Sequence, residues 1–219
     1  MAEPIRLSQI DASSRADHFH LSADDLCLYL YEYTSGRDYS FSATNNLIST
    51  LKRKPSSSSA AALTHKTRVI GEIASAFRQS LNAGWLGFAT LVPVPCSKAL
   101  DHADYDDRIE AICRAINPNA DVRNLVVQTV STTASHEAAA GDRITLDALS
   151  ALYEIDENLA DPAPKAIGIV DDVLTAGTHF RAMQHILSAR FPNAPIMGLF
   201  VARRVFPPEP IATDIDGVR

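Results

Sequence analysis

One stretch constrains this chain more than any other: residues 166–180, A-I-G-I-V-D-D-V-L-T-A-G-T-H-F. Ile167, Ile169 and Val170 form an apolar run of the length expected for a strand buried on both faces, as strands of parallel sheets are. The run ends in adjacent acids, Asp171 and Asp172. After Val173 and Leu174 come the small residues Thr175, Ala176, Gly177 and Thr178, and then a segment of helical period. The spacing predicts a strand, a loop and a helix start. In open parallel sheets ligands bind outside the carboxyl ends of the strands, so both acids stand where chemistry is done.

Two neighbouring carboxylates accept hydrogen bonds from a vicinal diol, and charge-assisted bonds of this kind are stronger than neutral ones. Small residues let backbone amides converge, and the incoming helix adds unpaired N–H groups and a partial positive charge, which suits a phosphate. A diol beside a phosphate describes a 5-phosphorylated ribose. The stretch V-D-D-V-L-T-A-G-T resembles the signature of the type I phosphoribosyltransferases, which bind 5-phosphoribosyl-1-pyrophosphate (PRPP). The alternative is a parallel strand capped by two solvated acids ahead of an ordinary helix.

Length allows one medium α/β domain with an added lobe, since 219 residues with 46% apolar side chains can bury a real core. A net charge of −6 makes nucleic acid an unlikely partner, because duplex binding relies on a basic footprint. Cys27, Cys96 and Cys113 are far apart and odd in number. They form neither a disulfide framework nor a zinc knuckle, which fits a reducing cytoplasm. The first twenty residues carry no apolar signal core and no stretch reaches the ~20 apolar residues of a membrane span, so the expectation is a cytoplasmic protein without membrane attachment.

Residues 1–21 read as a polar arm. Ser22 to Asp25 resembles a capping box ahead of Leu26, Leu28 and Leu30, so a helix stopped by Gly36 is expected, with Tyr29, Tyr31 and Tyr33 packing rather than stacking on a ligand. A second helix is expected over 42–54. Its basic end, Lys52, Arg53 and Lys54, reads as a solvated helix terminus in preference to an anion contact. Residues 55–62, with four serines in a row, separate this lobe from the remainder. A long helix is expected over 63–83 with Gly84 as its stop, and strands over 88–94, 124–130, 166–170 and 196–202. Helices between them make a mostly parallel sheet covered on both faces. Arg203 and Arg204 lie at the ligand edge of the last strand, and a Pro-rich tail follows from 206.

The resemblance extends over residues 63–205 and implies the type I phosphoribosyltransferase fold with a helical N-terminal lobe over 1–60 serving as hood. P-V-P-C-S-K, residues 93–98, looks like the pyrophosphate loop of the ComF-type branch, which makes Cys96, Ser97 and Lys98 candidate pyrophosphate contacts. Cys96 reads as a small packed residue and not a nucleophile. Arg108 is either a helix-start residue or a further pyrophosphate contact. Residues 131–145 follow a strand where PRPP-dependent transferases carry a covering loop that excludes water. Thr133 and Arg143 match ComF-type positions there, and His136 replaces a Gln. The zinc-binding cysteines of ComF-type proteins are missing, so a competence role is not carried over.

What the resemblance implies for function is transfer of phosphoribose from PRPP to a nitrogen nucleophile, with Mg²⁺ bridging pyrophosphate and ribose hydroxyls, assisted by Asp171 and Asp172. Those two acids orient the ribose; Thr175, Ala176, Gly177 and Thr178 hold the 5-phosphate; Lys98 and His136 stabilise the departing pyrophosphate. In the purine-salvage branch the position of Thr175 is an Asp acting as base, so classical purine salvage is disfavoured. The alternative function is a PRPP or nucleotide sensor acting with a partner protein. A homodimer is compatible with either.

Overall fold

The computed structural model describes residues 5–128 and 145–207. In chain order its strands are β1 (Ser8–Gln9), β2 (Cys27–Thr34), β3 (Thr90–Pro93), β4 (Asp121–Val122), β5 (Val126–Gln128), β6 (Tyr153–Ile155), β7 (Ile167–Leu174) and β8 (Ile196–Val205). The helices are α1 (Ala43–Leu51), α2 (Ala60–Ser80), α3 (Ala83–Leu86), α4 (Arg108–Ile116), α5 (Leu146–Ser150) and α6 (Thr178–Arg190). Six strands form one sheet in the order β1-β2-β8-β7-β3-β4, in which β2, β8, β7, β3 and β4 are mutually parallel and only β1 is antiparallel. This is the mostly parallel α/β architecture that the apolar strand runs predict.

The pleat divides the core in two. Ile167 and Ile169 of β7, Val92 of β3 and Phe200 of β8 pack with Phe180, Met183 and Leu187 of α6 on one face. Val170, Leu91, Leu199 and Val201 pack on the other face against Ile48 of α1, Ile73 and Phe77 of α2, and Ile112 and Ile116 of α4. Full burial of each such side chain contributes roughly 1.5–3 kcal/mol. Local signals agree with the tertiary structure at the helices: the Ser59 side chain accepts from the Ala62 amide to cap α2, and Ser42 caps α1 through the Asn45 amide. α2 ends at Ser80, short of the expected stop at Gly84, which lies inside α3.

Two expectations are overturned. Residues 27–34 are a strand and not a helix, paired in parallel with β8 from Cys27↔Gly198 to Thr34↔Val205. The capping-box pattern is real but closes a turn: the Ser22 amide donates to Asp25 Oδ2 at 2.6 Å, while Asp25 also pairs with Arg181 of α6 at 3.1 Å. Tyr29, Tyr31 and Tyr33 alternate as a strand's residues do, and β2 with the helix α1 packed on it builds on the main sheet instead of forming a helical lobe. The segment 124–130 does not enter the sheet either. β4 takes the edge with two residues, the Arg123 amide donates to Leu91 O at 3.0 Å, and the chain then turns away. Beyond it β5 pairs antiparallel with β6 in a separate ribbon. Among the described residues no helix is long and apolar enough to cross a membrane.

Candidate active site

The topology creates a crevice. β3 runs through α4 to β4 at one edge, and β7 runs through α6 to β8 in the opposite direction, so α4 and α6 cover opposite faces and the strand order reverses between β3 and β7. Ligands of open α/β sheets bind at such a switch point, outside the carboxyl ends. A pocket of about 700 Å³ lies there, lined by the ends of both strands and by residues of α1 and the loop after β2. Its size is that of a small-molecule site.

β7 runs through both acids to Leu174, so Asp171 and Asp172 are strand residues, three and two positions before its last residue, and their side chains point to opposite faces. Asp172 is buried on the face of α1 and α4. Its Oδ1 lies 3.0 Å from Lys52 Nζ, and its Oδ2 accepts from Arg108 Nη2 at 2.6 Å and Nε at 3.2 Å. Arg108 Nη1 also donates to Asp106 at 2.9 Å; Asp106 pairs with Lys66 at 2.6 Å, and Lys66 donates to the Arg53 carbonyl at 2.8 Å, next to Lys52. The result is a buried ring of alternating charges. Burial opposes the charge on Asp172, but Lys52 and Arg108 outweigh it and hold the carboxyl well below the usual range.

Asp171 has the opposite environment. Its Oδ1 accepts from the Asp172 amide at 2.7 Å, and burial together with the adjacent Asp172 charge pushes it up, to about 7. One residue apart, the two carboxyls are driven in opposite directions, the pattern that separates proton-holding from charge-holding groups at working sites.

The turn after β7 is built for close approach. Gly177 has φ +90°, a left-handed conformation that favours glycine, and no side chain caps α6. The first-turn amides of α6 therefore face the crevice end of the helix, as an anion site requires. The N-terminal arm latches this turn from behind. His18 Nδ1 bonds the Thr175 carbonyl, the His20 amide donates to Ala176 O at 3.0 Å, and a Cβ at Gly177 would lie 3.0 Å from Leu21 Cδ2. Because a carbonyl only accepts, His18 carries its proton on Nδ1. Gly177→Ala is expected to cost about 1–3 kcal/mol through backbone strain, read as a fall in the urea midpoint; an unchanged midpoint would show that the turn relaxes out of its left-handed conformation.

Thr175, Ala176, Thr178, Cys96, Ser97, Lys98, Arg108 and both acids all line this one pocket, with Gly177 shaping its turn. Cys96 is half-buried and its Sγ accepts from the Lys98 amide at 3.4 Å, a loop-shaping contact. Arg108 is held by two carboxylates. His136, Thr133 and Arg143 lie outside the described residues. Sequence reasoning missed two participants. Lys52, read as part of a solvated helix end, points into the pocket onto Asp172. His179 lines the pocket with its Nδ1 2.7 Å from the Tyr153 hydroxyl, and burial pushes its pKa down to about 4, so the ring is neutral near pH 7. Arg204, which the sequence places at the ligand edge of the last strand, does line the pocket, and it donates to the Asp17 carbonyl at 3.0 Å. The run Lys52–Lys54 was the one available signal.

Neither protein-family models nor curated proteins match the chain. Among the described residues no group of three or more His, Cys, Asp or Glu side chains is arranged to hold a metal ion. Mg²⁺ commonly uses only one or two carboxylates and completes its shell with substrate phosphates and water. Asp171, open to the pocket, fits that part; Asp172, saturated by two cations, does not.

Proposed function

We propose that the chain binds PRPP in the switch-point pocket and transfers its phosphoribosyl group to a nitrogen nucleophile, releasing pyrophosphate. The observation that carries this reading is the convergence, at the carboxyl ends of β3 and β7, of a carboxyl pair, a left-handed glycine turn at a helix start and the loop bearing Lys98. Asp171 accepts from the ribose hydroxyls. The amides of residues 175–178 take the 5-phosphate, and Lys98 with the residues of its loop faces the diphosphate. The C1–oxygen bond breaks with its electron pair leaving on pyrophosphate, the nitrogen lone pair forms the new bond to C1, and the nitrogen loses its proton to solvent. Mg²⁺, held through Asp171, would neutralise charge on the departing pyrophosphate.

A second reading, PRPP binding without turnover, is favoured by the double ion pair on Asp172, which occupies an acid expected to serve the ribose. Thermal unfolding with PRPP and Mg²⁺ tests both. At 100 times its Kd the ligand adds ~2.7 kcal/mol, a rise in Tm on the order of 5–10 °C for a chain of this size. No rise at millimolar PRPP sinks both readings. Pyrophosphate release across a panel of bases and amines then supports transfer, and binding with no release supports the sensor.

A further inference from the structure

We propose that Lys52 is a ligand-binding residue that exchanges Asp172 for the diphosphate, so that the two ends of the pocket bind cooperatively. The inference rests on the reading of the pocket as a site for a ribose phosphate and a diphosphate. Both oxygens of Asp172 accept from cations, Oδ1 from Lys52 and Oδ2 from Arg108. An acceptor so engaged offers little to a ribose hydroxyl until one cation leaves. A cation that leaves inside a pocket pays for lost pairing unless another anion receives it. The diphosphate is that anion.

The ring of charges decides which cation moves. Arg108 is fixed from behind, because Asp106 holds it at 2.9 Å and is itself held by Lys66 at 2.6 Å. Lys66 is buried and tied to the Arg53 carbonyl. Among the described residues Lys52 has no such brace. It is the C-cap residue of α1, its side chain is 22% exposed to the pocket, and its ammonium pairs with Asp172 through a flexible four-carbon stem. The same pocket is lined by Ser97 and Lys98. Diphosphate binding draws Lys52 off Asp172 and frees Oδ1 for the diol; diol binding to Asp172 releases Lys52 toward the diphosphate. By linkage the two effects are equal in size.

Calorimetric titration of the full chain tests this, with ribose 5-phosphate and inorganic pyrophosphate as probes in magnesium-free buffer, so that no metal bridges them. Each probe is expected to bind at least five-fold tighter when the other is saturating. In Lys52→Met the coupling is lost and pyrophosphate binds several-fold more weakly, while ribose 5-phosphate alone binds no worse than to the wild type; Lys52→Arg restores the coupling. Independent binding of the two probes to the wild type overturns the proposal and leaves the proposed function standing, and so does coupling that survives in Lys52→Met. If Lys52→Met does not fold, Lys52→Gln, which also removes the charge, takes its place with the same expected outcomes. If neither probe binds, the reading of the pocket falls and the proposal with it.

Discussion

Asp172→Asn is expected to destabilise the protein by about 3–5 kcal/mol, the cost of leaving buried cations without their counter-charge. Lys52 and Arg108 both lose it at once, and three cations, Lys52, Arg108 and Lys66, are left against Asp106 alone. Urea unfolding at pH 7 should show a lower midpoint, and adding Lys52→Met should recover part of it by removing one stranded cation. The wild-type contribution has a defined pH window. Because the folded carboxyl is held below its unfolded value, its stabilisation is fully present above about pH 4. It is lost as pH falls toward the folded value. A midpoint unchanged in Asp172→Asn would mean the ring contributes nothing. Loss of activity in this variant would be ambiguous, since it would also follow from a damaged fold.

Asp171→Asn is the cleaner probe of the chemistry, and its effects on stability and binding should have opposite signs. The folded carboxyl is raised to about 7 by burial and by Asp172. Its ionisation therefore opposes folding: the cost is absent below the unfolded value near pH 4, grows between there and pH 7, and is constant above. In metal-free buffer at pH 8 the Asn variant should be the more stable protein by about 2 kcal/mol, a figure reduced from the full shift because the group opens onto the pocket. Near pH 4 the two should be alike. PRPP binding should behave in the reverse way: in the wild type it strengthens as pH rises through about 7 and Asp171 becomes a full acceptor, and in the variant that dependence disappears along with most of the affinity. A variant less stable than wild type at pH 8 would refute the assigned environment of Asp171.

The features legible in the sequence were those whose causes are local. An apolar run ending in acids and small residues specified β7, its turn and the start of α6, because strand burial, glycine conformation and helix initiation act within a few residues. Strands β3 and β8 and the long helix α2 were legible for the same reason. β2 was missed because its capping-box pattern reads as a helix start, although Leu28 and Leu30 alternate with Tyr29, Tyr31 and Tyr33 as in a strand; the strand is completed by pairing with β8, about 170 residues away. The ring around Asp172 was equally hidden. Nothing near Lys52 shows that its partner is Asp172, or near Arg108 that it is shared with Asp106; helix packing on one sheet face brings them together. The arm contact of His18 on the Thr175 carbonyl is a third case, since a single His in a polar segment carries no signal of its partner.

The position of β8 has a consequence for how the chain acquires its structure. β8 lies between β2 and β7, so β2 has no parallel neighbour until nearly the last described residues have left the ribosome. Pairings this distant in sequence close slowly, because the entropy of a long loop is paid before the contacts return it. During synthesis the edge of β2 that β8 later covers is open, and an open strand edge is of the kind that recruits other chains. Yield from expression at high temperature should therefore depend on holdase chaperones more than the equilibrium stability of the finished protein would indicate.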